Sequence, residues 1–132
     1  MDKTIDEALK QGVDAHQAGQ IQEADRYFTA ILKANPKHPQ ANFNMGLLGI
    51  SLGKLDATLP FFETAIKGNP NSENYWFRYI QTLIDSGKLN RAKDVLREAR
   101  SYCKNLNLLE HFEIQLDDIY QRDSQRVSVD PP

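Results

Sequence analysis

Few side chains in this 132-residue sequence have the type and spacing for covalent chemistry. Cys103 is the lone cysteine, set between Tyr102 and Lys104 near the expected end of a helix. A helix C-terminus disfavours a thiolate, so Cys103 reads as structural rather than nucleophilic, and a single cysteine leaves no internal disulfide framework. His16, His38 and His111 are scattered. His111, between Glu110 and Glu113, lacks the second histidine one turn away that lets a helix aim two imidazoles at one zinc ion. Gly53-Lys54 and Gly87-Lys88 superficially look like part of a phosphate loop, but each belongs to a Gly-Lys-Leu turn with no glycine-rich loop around it. Lys88, Arg91, Lys93, Arg97 and Arg100 form a basic cluster interrupted by Asp94 and Glu98, the composition of a solvated helix face laced with ion pairs. No catalytic, cofactor or metal site is expected.

The bulk composition narrows the classes further. Lys plus Arg number 16 against 18 acidic residues, so no basic field is available to hold a nucleic acid. Hydrophobic residues make up 40% and charged residues 26%, an ordinary soluble profile for one domain, of a size that buries roughly two-thirds of its unfolded surface. The opening MDKTIDEALKQG has no apolar run of the signal-peptide kind, and no stretch of 18 apolar residues follows, so no membrane association is expected. The default localisation is cytoplasmic, although a piece of a longer secreted or membrane protein would lack its own signal.

The organising feature is a period. Gly19, Gly53 and Gly87 stand 34 residues apart, and so do the columns Ile21/Leu55/Leu89, Ala24/Thr58/Ala92, Phe28/Phe62/Leu96 and Ile31/Ala65/Ala99, with Pro36 and Pro70 at the same interval. A period of this length with a turn glycine near its middle predicts stacked helix–turn–helix units. The pattern predicts helices at about 4–18 and 22–34, from Pro39 or Gln40 to Leu52, from Asp56 to Gly68, from Ser72 or Glu73 to Ser86, and at 90–105. Thr4 with Glu7 would cap the first helix, and Asp56 the fourth. Pro60, early in the fourth helix, predicts a late start or a local bend. A seventh helix, 108–122, departs from the repeat. Its one-sided apolar residues Leu108, Leu109, Phe112, Leu116, Ile119 and Tyr120 predict that it covers the edge left by the third unit. Residues 123–132, ending Asp-Pro-Pro, read as a disordered tail or linker.

These columns resemble the tetratricopeptide repeat over about residues 5–106. The first unit supplies Ala8, Gln11, Gly12, Ala15, Gly19, Ala24, Phe28, Ile31 and Pro36. The second supplies Asn42, Met45, Gly46, Gly49, Gly53, Leu55, Thr58, Phe62, Ala65 and Pro70, and the third Trp76, Tyr79, Ile80, Leu83, Gly87, Leu89, Ala92, Leu96 and Ala99. The resemblance implies an all-α, right-handed solenoid of three repeats, 5–38, 39–72 and 73–106, with a capping helix, the domain covering 1–122. Three departures carry expectations: Thr58 in place of alanine implies a looser contact within the second pair. Ile80 in place of a small residue implies that the third pair sits differently against its neighbour. Lys104 in place of proline implies a longer sixth helix.

In this architecture the first helix of each pair lines a concave groove. By resemblance, the inward residues are Asp6, Leu9, Lys10, Val13 and Gln17, then Gln40, Phe43, Asn44, Leu47 and Ser51, then Asn74, Phe77, Arg78, Gln81 and Asp85. Leu9, Phe43 and Phe77 form an apolar column, which packing between repeats would also explain, and Lys10, Asn44 and Arg78 form a column of donors. Asn44 would bond a peptide backbone and Arg78 a carboxylate, bidentately. Some family members grip a chaperone's C-terminus with basic and amide groups at five inward sites. Here Leu9, Val13 and Asn74 depart from that set, so the resemblance implies an extended, mostly apolar peptide instead. The leading expectation is a non-catalytic module binding a protein or peptide ligand, with no cofactor. The alternatives are the N-terminal adaptor of a larger bacterial transferase-type enzyme, or a homodimer formed through Tyr27, Phe61, Tyr75 and Phe77 if these are exposed.

Overall fold

The computed structural model describes residues 2–129, and side chains over 4–124. Within it lie α1 (Asp2–Gln17), α2 (Ile21–Ala34), α3 (Pro39–Ser51), α4 (Leu55–Gly68), α5 (Glu73–Asp85), α6 (Leu89–Ala99) and α7 (Leu106–Val129). The first six form three hairpins, α1–α2, α3–α4 and α5–α6, each stacked on the next.

Every hairpin turns at one of the spaced glycines. Gly19, Gly53 and Gly87 have φ of 79°, 73° and 78°, the left-handed region in which a Cβ is strained. Around each, the amide three residues past the helix reaches back five positions: Gln20 N to Ala15 O at 2.8 Å, Lys54 N to Gly49 O at 2.9 Å, and Lys88 N to Leu83 O at 2.8 Å. These bonds satisfy the carbonyls that a helix end leaves open, so one turn geometry is built three times.

Within the hairpins, one pair of columns sets how closely the helices approach. A Cβ added to Gly12 would lie 2.5 Å from the Phe28 ring, and one added to Gly46 would lie 2.6 Å from the Phe62 ring. The third hairpin places buried Ile80 and Leu96 in those columns, and α5 and α6 approach less closely than α1–α2 or α3–α4. The expectation drawn from Thr58 does not hold. Thr58 is 1% exposed with its methyl pressed over Gly49, where a Cβ would meet it at 2.5 Å, and α3 and α4 form the closest pair of the molecule. Glycine opposite makes room for the larger residue.

Several boundaries move. α1 is already helical at Asp2, so Thr4 lies inside it and lacks the non-helical backbone of a cap. α4 begins at Leu55, after Lys54, which places Asp56 in its first turn rather than at its cap. Pro60 is the sixth residue of α4 and exposed, and the helix continues through it without a late start. α3 is capped by His38, whose Nδ1 accepts from Ala41 N at 3.1 Å. α6 stops at Ala99 rather than running to 105, because the chain after it is held elsewhere: the Tyr102 ring stacks on Trp76 with centroids 5.6 Å apart, Cys103 is buried, and Glu73 accepts from Asn105 N at 3.1 Å. Asn105 Oδ1 then accepts from Asn107 N at 3.1 Å, so α7 starts at Leu106. α7 continues to Val129, through most of the segment expected as a tail from Asp123, and the last three residues lie outside the described range.

α7 also keeps the register of the repeat, contrary to expectation. Its buried Leu109 and Leu116 stand 34 residues beyond Tyr75 and Thr82, themselves 34 beyond Ala41 and Leu48, and all six are buried. Those columns face the preceding hairpin. The columns that would face a helix of its own hairpin, Trp76, Tyr79, Ile80 and Leu83 in α5, become Glu110, Glu113, Ile114 and Asp117. α7 is thus built like a first helix on one side and like a surface on the other.

Candidate functional site

Successive hairpins meet mainly through the second helix of one and the first helix of the next, α2 against α3 and α4 against α5, and first helices also touch one another, α1 against α3 and α5 against α7. The second helices reach one another through long side chains: Lys88 Nζ, at the N-cap of α6, lies 3.8 Å from Asp56 of α4, and Arg91 lies 3.2 Å from Glu63. The first helices therefore share one face, and the expected site residues divide on it.

Phe43 does not reach that face. It is 6% exposed, with its ring 4.5 Å from that of Tyr75 and 5.6 Å from that of Phe62. Phe77 is half-buried against Phe112 and His111 of α7, with centroids at 5.2 and 6.1 Å. These two members of the apolar column join each hairpin to the next first helix, and Leu9, partly buried, packs on the core of the first hairpin. Val13 and Leu47 are likewise partly buried against the core.

The polar residues are freer. Lys10, Asn74 and Arg78 are exposed, and among the described residues none of them has a side-chain bond or ion pair. The arginines around α6 differ: Arg91 pairs with Glu63, Arg97 with Asp94 and Arg100 with Glu113. Asn44 donates from Nδ2 to Gln40 O at 2.7 Å, which leaves its carbonyl oxygen and one N–H for another group. Gln81 donates to Asp85 at 2.9 Å. Gln115 extends the column Val13, Leu47, Gln81 by one period, and its buried Oε1 has no partner among the described residues. Sequence reasoning missed Gln115 because it treated α7 as outside the repeat.

The histidines have structural engagements: His16 Nε2 lies 2.8 Å from the Ser51 hydroxyl, His38 caps α3, and His111 stacks on Phe77. Burial, reinforced by the Glu73 carboxylate, pushes the Cys103 thiol up, which keeps it protonated and poorly nucleophilic. Tyr79 is pushed up to about 12, first by burial and then by its hydrogen bond to Glu63. Among the described residues, the exposed large apolar side chains are Leu52, Tyr102, Leu106 and Ile114; Tyr75 is buried, and Tyr27, Phe61 and Phe77 are partly buried. Among the same residues, no helix is long and apolar enough to cross a membrane.

No family model matches the chain. Over 99 residues it is 27% identical to the peroxisomal targeting signal receptor of Candida glabrata, a match covering 75% of this chain and 16% of the receptor. Among solved structures it is similar to the type III secretion translocator chaperone SycD of Yersinia enterocolitica, with TM-score 0.78 and 16% identity over 94% of this chain and 88% of the other. It is also similar to the first TPR domain of Spaghetti (RPAP3) bound to an HSP90 peptide, with TM-score 0.72 and 18% identity over 87% and 97%. An O-GlcNAc transferase of Thermobaculum terrenum matches with TM-score 0.69 and 21% identity over 79% of this chain and 20% of the enzyme. Likeness at these identities is likeness of fold. The fold is the all-α helical-repeat architecture of tetratricopeptide-repeat proteins.

Proposed function

We propose that the chain is a non-catalytic interaction module that holds an extended segment of another protein against the face of its first helices. The observation that carries this reading is Arg78: it is exposed on that face and without an ion pair among the described residues, while the three arginines around α6 are each tied to a carboxylate. An unpaired guanidinium one helical turn from Asn74 and one period from Asn44 offers donors to a peptide's carbonyls or carboxylates. Val13 and Leu47 add partly exposed apolar surface, and Lys10 extends the donor column. The closer approach of first helices than of second helices favours a curve toward this face. Three repeats form the stack, and α7 caps it.

Affinity capture with the chain and with an Asn44→Ala/Arg78→Ala variant tests the reading. A protein retained by the chain and lost by the folded variant supports it; equal retention by both refutes it. Light scattering on both reports any self-association.

A second reading is that the module is the adaptor of a larger transferase-type enzyme. It is favoured by the match to a fifth of an O-GlcNAc transferase, the chain spanning 20% of that enzyme. The reading frame surrounding this sequence decides it: a catalytic domain continuous with the chain supports the adaptor role.

A further inference from the structure

We infer that α7 is the last rung of the first-helix face as well as the cap of the stack, and that its Leu108, His111 and Gln115 receive an apolar residue of the bound segment beside the carboxylate that Arg78 holds. The inference rests on the function proposed above. α7 lies against α5 as α3 lies against α1. Its buried Leu109, Phe112 and Leu116 fix its rotation about its own axis, so the columns of the face run on to it. Asn74 is followed by Leu108, Phe77 by His111 and Gln81 by Gln115, each 34 residues on.

Two of these side chains are poised for a ligand. His111 is exposed although one face of its ring stacks on Phe77, with centroids 6.1 Å apart and planes 19° apart. The Phe112 ring meets it edge-on at 5.1 Å. An imidazole held by two aromatic neighbours is a fixed plane with its remaining surface in solvent. Such a plane accepts a further apolar or aromatic side chain with little loss of its own freedom. Gln115 is partly buried, and its Oε1 has no donor among the described residues. A buried acceptor without a donor is unfavourable, and rotation of the amide about its last, soft torsion brings that oxygen within reach of a ligand N–H.

The face changes character along the stack, and the change sets the order of groups in the ligand. α1 and α3 offer Lys10 and Asn44 beside the aliphatic Val13 and Leu47. One and two periods on, the aliphatic pair is replaced by the amides of Gln81 and Gln115. The donor column ends with Arg78, because its next member, Phe112, is fully buried. The polar column Asp6, Gln40 and Asn74 ends in Leu108, which packs partly buried against the core. A segment crossing from α5 to α7 therefore meets a guanidinium, then two amides able to bond its backbone, then the apolar surface of Leu108 and His111. The matching segment is extended and carries an acidic residue at α5 and an aliphatic or aromatic one at α7.

A random dodecapeptide display library selected on the unaltered chain supplies the probe, and ¹⁵N amide shifts and binding titrations with an enriched peptide read the result. Enriched peptides should combine an acidic with an apolar residue. Amides around His111 and Gln115 should shift at the same peptide concentrations as those of α3 and α5. His111→Ala and Gln115→Ala should each weaken binding about tenfold at unchanged melting temperature, while His111→Phe, which keeps the stack, binds like the unaltered chain. Shifts confined to α1, α3 and α5, with both alanine variants binding as before, overturn the inference and leave the proposed function standing. Enriched peptides whose binding is indifferent to Asn44→Ala/Arg78→Ala overturn both. If an alanine variant does not fold, the shift map of the unaltered chain decides.

Discussion

Each of the first two hairpins is closed by a glycine meeting a phenylalanine, Gly12 with Phe28 and Gly46 with Phe62, and each turn is made by a glycine with nothing near it. The two kinds of glycine should respond differently to the same change. At Gly46, alanine drives a methyl into the Phe62 ring, and overpacking of this kind costs about 1–3 kcal/mol. At Gly53 there is nothing within 4 Å, and the cost is the left-handed backbone alone, about 1 kcal/mol. Urea unfolding of Gly46→Ala and Gly53→Ala should rank them in that order. Tyr79 makes a prediction in pH. Its phenol titrates near 12 when folded against an ordinary value of 10, so the stability it contributes is complete below about pH 10 and is lost as pH rises toward 12. The unaltered chain should therefore lose stability across that window faster than Tyr79→Phe, and urea midpoints between pH 9 and 12 would show it. At neutral pH the phenylalanine variant should be the less stable, by about 1 kcal/mol, through loss of the phenol's hydrogen bonds.

At the scale of helices, two elements stand apart. α4 tolerates Pro60 at its sixth position, where the ring removes the N–H that the Asp56 carbonyl would accept. Pro60→Ala should therefore stabilise the chain by about 1–3 kcal/mol, reduced by up to about 1 kcal/mol for the freer unfolded chain, and read as a rise in melting temperature. α7 is anchored by Leu109, Phe112 and Leu116, with Phe112 fully buried against Phe77. Phe112→Ala should cost about 3–5 kcal/mol, with a matching fall in the denaturant midpoint. The helices of the three hairpins were legible in the sequence because glycine, alanine and aromatic columns recur in each. The ends of α6 and α7 were not. Tyr102 stacking on Trp76 and Glu73 holding Asn105 N are contacts between residues about 30 apart, which no local pattern announces. The register of α7 was readable in Leu109 and Leu116, but Glu110, Glu113 and Asp117 hide it wherever a second helix would have packed.

At the scale of the molecule, the architecture followed from one interval, and the face of the first helices followed from it only in part. A 34-residue column says which residues are equivalent, not which are exposed. Phe43, Phe77 and Arg78 all fell on the inward helices, yet only Arg78 is exposed, because the next first helix covers Phe43 with Tyr75 and Phe77 with Phe112. On the function proposed above, this face, and not that of the second helices, receives a partner. The direct test is an amide chemical-shift map of the ¹⁵N-labelled chain titrated with a peptide from a captured partner. The shifted amides should concentrate in α1, α3 and α5 around Lys10, Asn44 and Arg78, and Asn44→Ala/Arg78→Ala should abolish the shifts while the spectrum stays folded. Shifts concentrated in α2, α4 and α6, or a map unchanged in the double variant, would contradict it.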